Sequence, residues 1–224
     1  MKVVYATGIE GARRAQGIAV VIDVLRAFTV SAYALAGGAR ECLLVPTVDA
    51  ARALAAEIPD AFISAEVDTL PVPGIAISNS PTQIAQADCK GRTLVQRTSA
   101  GTPVINAVGP GHDIYAASLV VAGATAQACL LRDPEAVTVI ASADFPEDHA
   151  CARYIGAMLT GMRPLPAADL LRDLYASDRY RRFAGGDWPG FPRTDLELAL
   201  EPDRFDFAMP ATRERGYVRL TSQR

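Results

Sequence analysis

From Gly17 onward, short runs of β-branched and aliphatic residues alternate with longer Ala-rich runs of amphipathic spacing, and that alternation leaves few architectures open. Repeating β and α units bury their strands between helix layers, so an α/β fold is expected, with helices layered on a largely parallel or mixed central sheet. Strands read as Ile18 to Ile22, Cys42 to Val45, Ala61 to Ser64, Thr93 to Gln96, Ile114 to Leu119 and Val137 to Ala141, with a short opening strand at Val3 to Tyr5. Helices fill the intervals at Thr29 to Ala36, Val48 to Ile58, Pro81 to Ala87, Pro103 to Val108, Gly123 to Leu131 and Glu147 to Thr160. Ser80-Pro81-Thr82-Gln83 sets a hydroxyl at the N-cap, proline at the first helical position and glutamine three residues after the cap, and Thr102-Pro103 repeats the cap and proline. Helix starts of this kind present unpaired N–H groups and can hold an anion.

After Gly161 arginines, aspartates and prolines thicken, and GGDWPGFPR reads as a loop. Ala167 to Ala176 reads as a helix, and the tail from Asp195 as a strand or two along the sheet edge. One domain is expected over residues 1–224, with a core at about 17–161 and a C-terminal extension at 162–224. Hydrophobic residues make up 50% of the chain and charged residues 21%. A chain of this size buries about 70% of its unfolded surface, so it needs no disulfide or metal staple to fold. The four cysteines, Cys42, Cys89, Cys129 and Cys151, form no CxxC pair and read as small core hydrophobes.

No apolar run reaches the roughly 18 residues that span a bilayer, and the first residues lack a signal-peptide core, so the expected location is the cytoplasm, with no membrane partner. A net charge of -3 without a basic stripe argues against nucleic acid. Local arginines leave a small phosphorylated anion as the expected partner. The hydrophobic content permits a homodimer without requiring one.

Polar residues gather just after the apolar runs, where open α/β sheets place their ligands. In VVIDVLRAFTVSAYALAGGA, Asp23 closes a fully apolar strand and Arg26 follows just before a helix. A carboxylate there suits magnesium, and a guanidinium offers a planar fork for phosphate or sulfonate. An internal Asp23 to Arg26 ion pair that merely closes the turn also fits the spacing. In FISAEVDTLPVPGIAISNSPTQIAQ, Glu66 is a second candidate ligand, and Asn79 and Ser80 open the capped helix. The alternative is an ordinary cap with Glu66 on a solvated loop.

In TLVQRTSAGTPVINAV, Thr98, Ser99, Gly101 and Thr102 crowd hydroxyls and a glycine between strand and helix, with Arg97 alongside. Amides in such a turn can converge on an anion, although a purely structural turn has the same composition. In VTVIASADFPEDHACARYIGAML, Asp144 precedes Glu147 and Asp148, which open a helix where carboxylates are favoured in any case. His149, with His112 the only other histidine, is a candidate acid or base or an incidental helix-start residue. No GxGxxG or P-loop spacing is present, and Leu25 stands where haloacid-dehalogenase-type phosphatases need a second acid.

Taken in order, DVLRA, the Ala65-Glu66 pair, NSP, TSAGT and EDHACA resemble the motif series of the 2-phosphosulfolactate phosphatase family over about Val20 to Leu159. RFDFAMP in the tail is similar to the family's closing segment. The resemblance implies a magnesium-dependent phosphoric monoester hydrolase of α/β fold that converts 2-phosphosulfolactate to sulfolactate on the route to coenzyme M. Carried over by position, Asp23, Arg26, Glu66, Asn79, Ser80, Thr98, Ser99, Gly101, Thr102, Glu147 and Asp148 would surround the substrate. On the chemistry of each group, Asp23, Glu66 and Asp148 are expected to hold Mg2+, with Arg26 and Ser99 acting at the phosphoryl group. Asn79, Ser80, Arg97, Thr98, Gly101, Thr102 and Glu147 are expected to bind substrate. Val67, Ser78 and Ala100 depart from the family's usual Gly-Glu-Arg run, its glycine before NSP and its TTNGT turn. The lost donors leave two further readings: a phosphatase of another phosphorylated acid, and a non-catalytic anion-binding protein.

Overall fold

The computed structural model describes residues 1–186 and 188–224; Asp187, within the stretch read as a loop, lies outside the described residues. Its strands are β1 (Lys2–Thr7), β2 (Ile18–Ile22), β3 (Glu41–Val45), β4 (Ala61–Val67), β5 (Leu70–Pro71), β6 (Thr93–Arg97), β7 (Ile114–Ala117), β8 (Ala136–Ala141), β9 (Met209–Glu214) and β10 (Tyr217–Leu220). Its helices are α1 (Gly8–Arg13), α2 (Ala27–Ala36), α3 (Val48–Glu57), α4 (Pro81–Ala85), α5 (Gly101–Ala107), α6 (Ala122–Leu130), α7 (Pro146–Leu159), α8 (Ala167–Leu170), α9 (Arg172–Ala176), α10 (Asp178–Ala184) and α11 (Thr194–Ala199). None of them is long and apolar enough to cross a membrane.

The strands are ordered β1-β8-β2-β7-β9-β10-β3-β6-β4-β5. β1, β8, β2 and β7 pair in parallel, and so do β3, β6 and β4. β2, buried at every residue, lies inside the first group, as its unbroken apolar run requires. The hairpin β9–β10 joins the two groups through antiparallel ladders, β9 to β7 and β10 to β3. The tail therefore occupies the middle of the sheet, which corrects the expectation of an edge position. The polar end of β9 disguises this: β9 meets β7 only at Pro210 and Met209, so its remaining residues project past the partner strand and stay polar.

Three antiparallel pairings in succession reverse the chain direction, so β3, β6 and β4 run opposite to β1, β8, β2 and β7. Residues at or just past the carboxyl ends of β2 and β8 in one group, and of β4 and β6 in the other, nonetheless line one cavity. Helix α2 fills the concave side. Ala27 to Leu35 are all buried, the signature of a helix enclosed on every side. Phe28 and Val30 share one core with Ala19 and Val21 of β2 and with Leu44 and Leu94 of β3 and β6. Its polar side chains are satisfied internally: Thr29 donates to Val24 O at 2.7 Å and Ser31 to Gln96 Oε1 at 2.6 Å. α1, α4 and α5 join α2 on this face, while α6 to α9 cover the other face of the first strand group and α3 that of the second.

Two local expectations are corrected. α5 starts at Gly101 with Ala100 at its N-cap, so Thr102 is no cap; it falls inside the first turn with a buried hydroxyl that lacks a partner. The helix read over Ala167 to Ala176 breaks at Leu171 into α8 and α9. At α4 the cap is as expected, Ser80 accepting from Gln83 N at 3.3 Å, but Gln83 reaches back to Ser78 N at 2.7 Å. All four cysteines are free and buried.

A central hairpin and an edge strand should respond differently to the same change. Val218→Asp places an unpaired carboxylate at a fully buried position of β10 and should cost several kcal/mol, roughly 3–5, in urea denaturation. Leu70→Asp on exposed edge strand β5 should stay within about 0.5 kcal/mol of wild type.

Candidate active site

The residues that follow β2, β6 and β8 meet the end of β4 at the amino end of α2, around a cavity of about 210 Å³. Asp23 organises it. Its Oδ1 accepts from Ala27 N at 3.0 Å and its Oδ2 from Gly101 N at 3.1 Å, so one carboxylate caps α2 and α5, elements that belong to opposite strand groups. Glycine is needed at position 101: a Cβ there would lie 2.6 Å from the Phe28 ring. Glu66 is buried near the end of β4 and accepts from Ser99 N at 2.8 Å and Thr69 N at 2.6 Å, an ordered position unlike a solvated loop. Arg97 donates to Glu66 O and, at 2.9 Å, to Ser99 Oγ, and so braces the same turn from behind.

Arg26 makes no ion pair with Asp23, which removes the turn-closing reading. Its Nη1 donates to Asp195 Oδ2 at 2.7 Å and Gly190 O at 2.6 Å, and its guanidinium lies 4.2 Å over the Phe191 ring. Nε and Nη2 make no hydrogen bond among the described residues. Asp195, fully buried, also accepts from Ser80 Oγ at 2.7 Å and Thr82 N at 2.9 Å, tying Arg26 to the start of α4. Asn79 is oriented by a buried relay. Ala27 O takes the Gln96 amide N–H at 2.9 Å, the same NH2 donates to Asn79 Oδ1 at 3.1 Å, and Asn79 Nδ2 is left free to donate.

Asp23, Arg26, Glu66, Asn79, Thr98 and Ser99 line the cavity; Ser80, Arg97, Gly101, Thr102, Glu147 and Asp148 stand behind it. Asp148 accepts from Val24 N and Ser142 Oγ, each at 2.8 Å. Glu147 receives Arg179 Nε at 2.7 Å, and its other oxygen is buried with no partner among the described residues. No three acidic, histidine or cysteine side chains lie close enough to share a metal ion among the described residues. Neither histidine lines the cavity: His149 pairs with Asp144 at 2.7 Å and His112 with Gly17 O at 2.6 Å.

Arg179 is a cavity residue that motif reading missed, and Asp195 a supporting one. Both come from the irregular stretch after Gly161, where no periodicity assigns a side chain to a face; the only signal was the cluster of arginines and aromatics in DRYRRF.

Burial is the main force on the acids. It pushes the Asp23 carboxyl up to about 6, with Glu147 and Glu66 adding to the rise and the Ala27 amide and Arg179 opposing it. Burial, then Asp23 and Glu147, raises Asp148 well above the usual carboxylate range. Around the cavity Asp23, Glu66, Asp68, Glu147, Asp148 and Asp195 outnumber Arg26, Arg97 and Arg179, so an anion enters favourably only when protons or a cation offset the excess.

A family model described as 2-phosphosulpholactate phosphatase matches residues 5–182. The chain belongs to that family. Among its relatives a Bacillus subtilis protein named "Probable 2-phosphosulfolactate phosphatase" is 32% identical over 86% of each chain. A protein of the same name from Symbiobacterium thermophilum is 31% identical over 75% of this chain and 74% of its own. Another from Deinococcus radiodurans is 35% identical over 55% of this chain and 52% of its own. The match to the 2-phosphosulpholactate phosphatase family ends before Gly190, Phe191 and Asp195, the residues that brace Arg26.

The raised Asp23 carboxyl has a measurable effect on stability in metal-free buffer. The unfolded group loses its proton near 3.8 and the folded one near 6, so its stabilising contribution is full below about pH 3.8 and is lost as pH rises through about 6. The change is on the order of 3 kcal/mol. Urea titrations at pH 5 and 7.5 should show the unfolding free energy of wild type falling relative to Asp23→Asn as pH rises; an opposite trend would contradict the assigned shift.

Proposed function

We propose that this cavity hydrolyses the phosphate monoester of a small 2-phospho acid, with 2-phosphosulfolactate as substrate and sulfolactate and inorganic phosphate as products, on the route to coenzyme M. What carries the reading is the convergence of Asp23 and Arg26, from the turn after β2, with Glu66, from β4, on one small cavity in a chain whose relatives bear that enzyme's name.

In the reaction water adds to phosphorus, the bond from phosphorus to the ester oxygen breaks, and the departing oxygen takes a proton. The free N–H groups of Arg26 and the Asn79 amide donate to phosphoryl oxygens, and their buried supports keep them aimed while charge redistributes. The Thr98 hydroxyl, buried and unpartnered at the cavity wall, supplies another donor. Phe145, Phe183 and Phe191 limit the access of bulk water.

The donor set fits magnesium: an excess of buried carboxylates, an unpartnered Glu147 oxygen, and two acids, Asp23 and Glu66, on the cavity wall. Asp23 and Glu66 are the residues that would hold it. When bound it supplies neutralisation of phosphate charge and a more acidic water. Asp148, kept behind the wall by Val24 and Ser142, is read as a support for the Asp23 turn in place of a ligand. Ala100, where the family often carries asparagine, lines the cavity, so a related phosphorylated acid is the second reading.

Phosphate release should be measured on 2-phosphosulfolactate and a panel of 2-phospho acids, with magnesium and with chelator. Turnover should require magnesium, and Asp23→Asn should lower kcat by about 100-fold or more. Absence of metal-dependent release from every compound on the panel would remove the hydrolase reading, and a preferred substrate other than 2-phosphosulfolactate would establish the second one.

A further inference from the structure

The cavity holds two guanidiniums, and the aromatic rings keep them apart. Phe183 and Phe191 stack with centroids 4.0 Å apart and planes 4° from parallel, too close to admit a guanidinium between them. Arg26 lies 4.2 Å from the Phe191 centroid and Arg179 4.9 Å from that of Phe183, so each arginine sits outside the ring pair. They also have separate counter-ions, Asp195 for Arg26 and Glu147 for Arg179, both completely buried. Two cations held on different rings by different counter-ions are not one shared clamp. They suit a ligand with more than one anionic group on one short skeleton.

The two arginines have different surroundings. Arg26 is tied through Asp195 to Ser80, whose neighbour Asn79 also lines the cavity, and the two side chains, Arg26 and Asn79, are donors for a phosphoryl group. Arg179 lies 3.6 Å over the Phe145 ring, its Nη2 donates to Leu25 O at 3.3 Å, and its Nη1 makes no hydrogen bond among the described residues. A planar, weakly hydrated guanidinium held against aromatic faces suits a carboxylate or sulfonate beside a carbon chain.

We propose that Arg179 is the specificity-determining residue of this site, binding a carboxylate or sulfonate of the substrate while Arg26 and Asn79 hold the phosphoryl group. This rests on the phosphatase reading for its substrate, but its test uses binding alone, so either idea can fail without the other. Sulfolactate, which lacks the phosphoryl group, and inorganic phosphate, which lacks the carboxylate and the sulfonate, serve as separate calorimetric probes at neutral pH with magnesium. Arg179→Gln strands the buried Glu147 charge, so the Arg179→Gln/Glu147→Gln double variant is titrated beside it, and thermal melting confirms that each is folded.

Either Arg179 variant should weaken sulfolactate binding by about 100-fold and leave phosphate binding within about 3-fold of wild type, while Arg26→Gln should do the reverse. Arg179→Lys, which keeps the charge but loses the planar fork, should fall between. Equal loss of both probes in the Arg179 variants, no loss of sulfolactate, or no sulfolactate binding by the wild-type chain would overturn the assignment. Phosphate release without this pattern would leave the hydrolase standing and remove the role given to Arg179.

Discussion

A helix enclosed on every side cannot leave its first-turn amides to water, and in this chain Asp23 satisfies both that need and the same need in a second helix. α2 packs against both strand groups, and at its amino end the residues that follow β2, β8 and β6 line one cavity with the end of β4. The cavity is thus a by-product of how the buried helix is capped. Moving Asp23 would disturb the start of α2, the start of α5 and the pocket wall at once.

The acids around this point are placed by backbone amides more than by arginines. Asp23 accepts from the first N–H groups of α2 and α5, Glu66 from Ser99 and Thr69, and Asp148 from Val24, and those bonds set where the turns after β2, β4 and β6 stand. Negative charge accumulated at low dielectric opposes itself, which is why burial and neighbouring acids hold two carboxyls above their ordinary range. A folded state that keeps such a cluster gives up stability for a poised charge, a trade-off common at functional sites.

Periodicity made the strands and most of the helices legible, because a strand buried on two faces must be apolar throughout and IAVVI can be little else. The position of Asp23, Arg26 and Glu66 at strand ends was legible for the same reason. Pairing between distant segments was not. Arg26 and Asp23 are three residues apart, yet one answers to Asp195 and the other to Gly101, and no local spacing encodes either partner. Arg179 and the ring pair come from a stretch whose short helices lack a period long enough to assign faces. The central hairpin escaped because β9 and β10 have the half-polar alternation of an exposed strand while lying between two others.

That hairpin has a consequence for how the chain is made. On the ribosome β7 and β3 emerge long before Met209 to Leu220, and until then each strand group presents an open ladder with nothing to pair against. Joining of the two strand groups must wait for Met209 to Leu220, so a nascent chain, or one cut before them, carries two sticky edges, and it is these, more than the finished surface, that would recruit chaperones or seed aggregates.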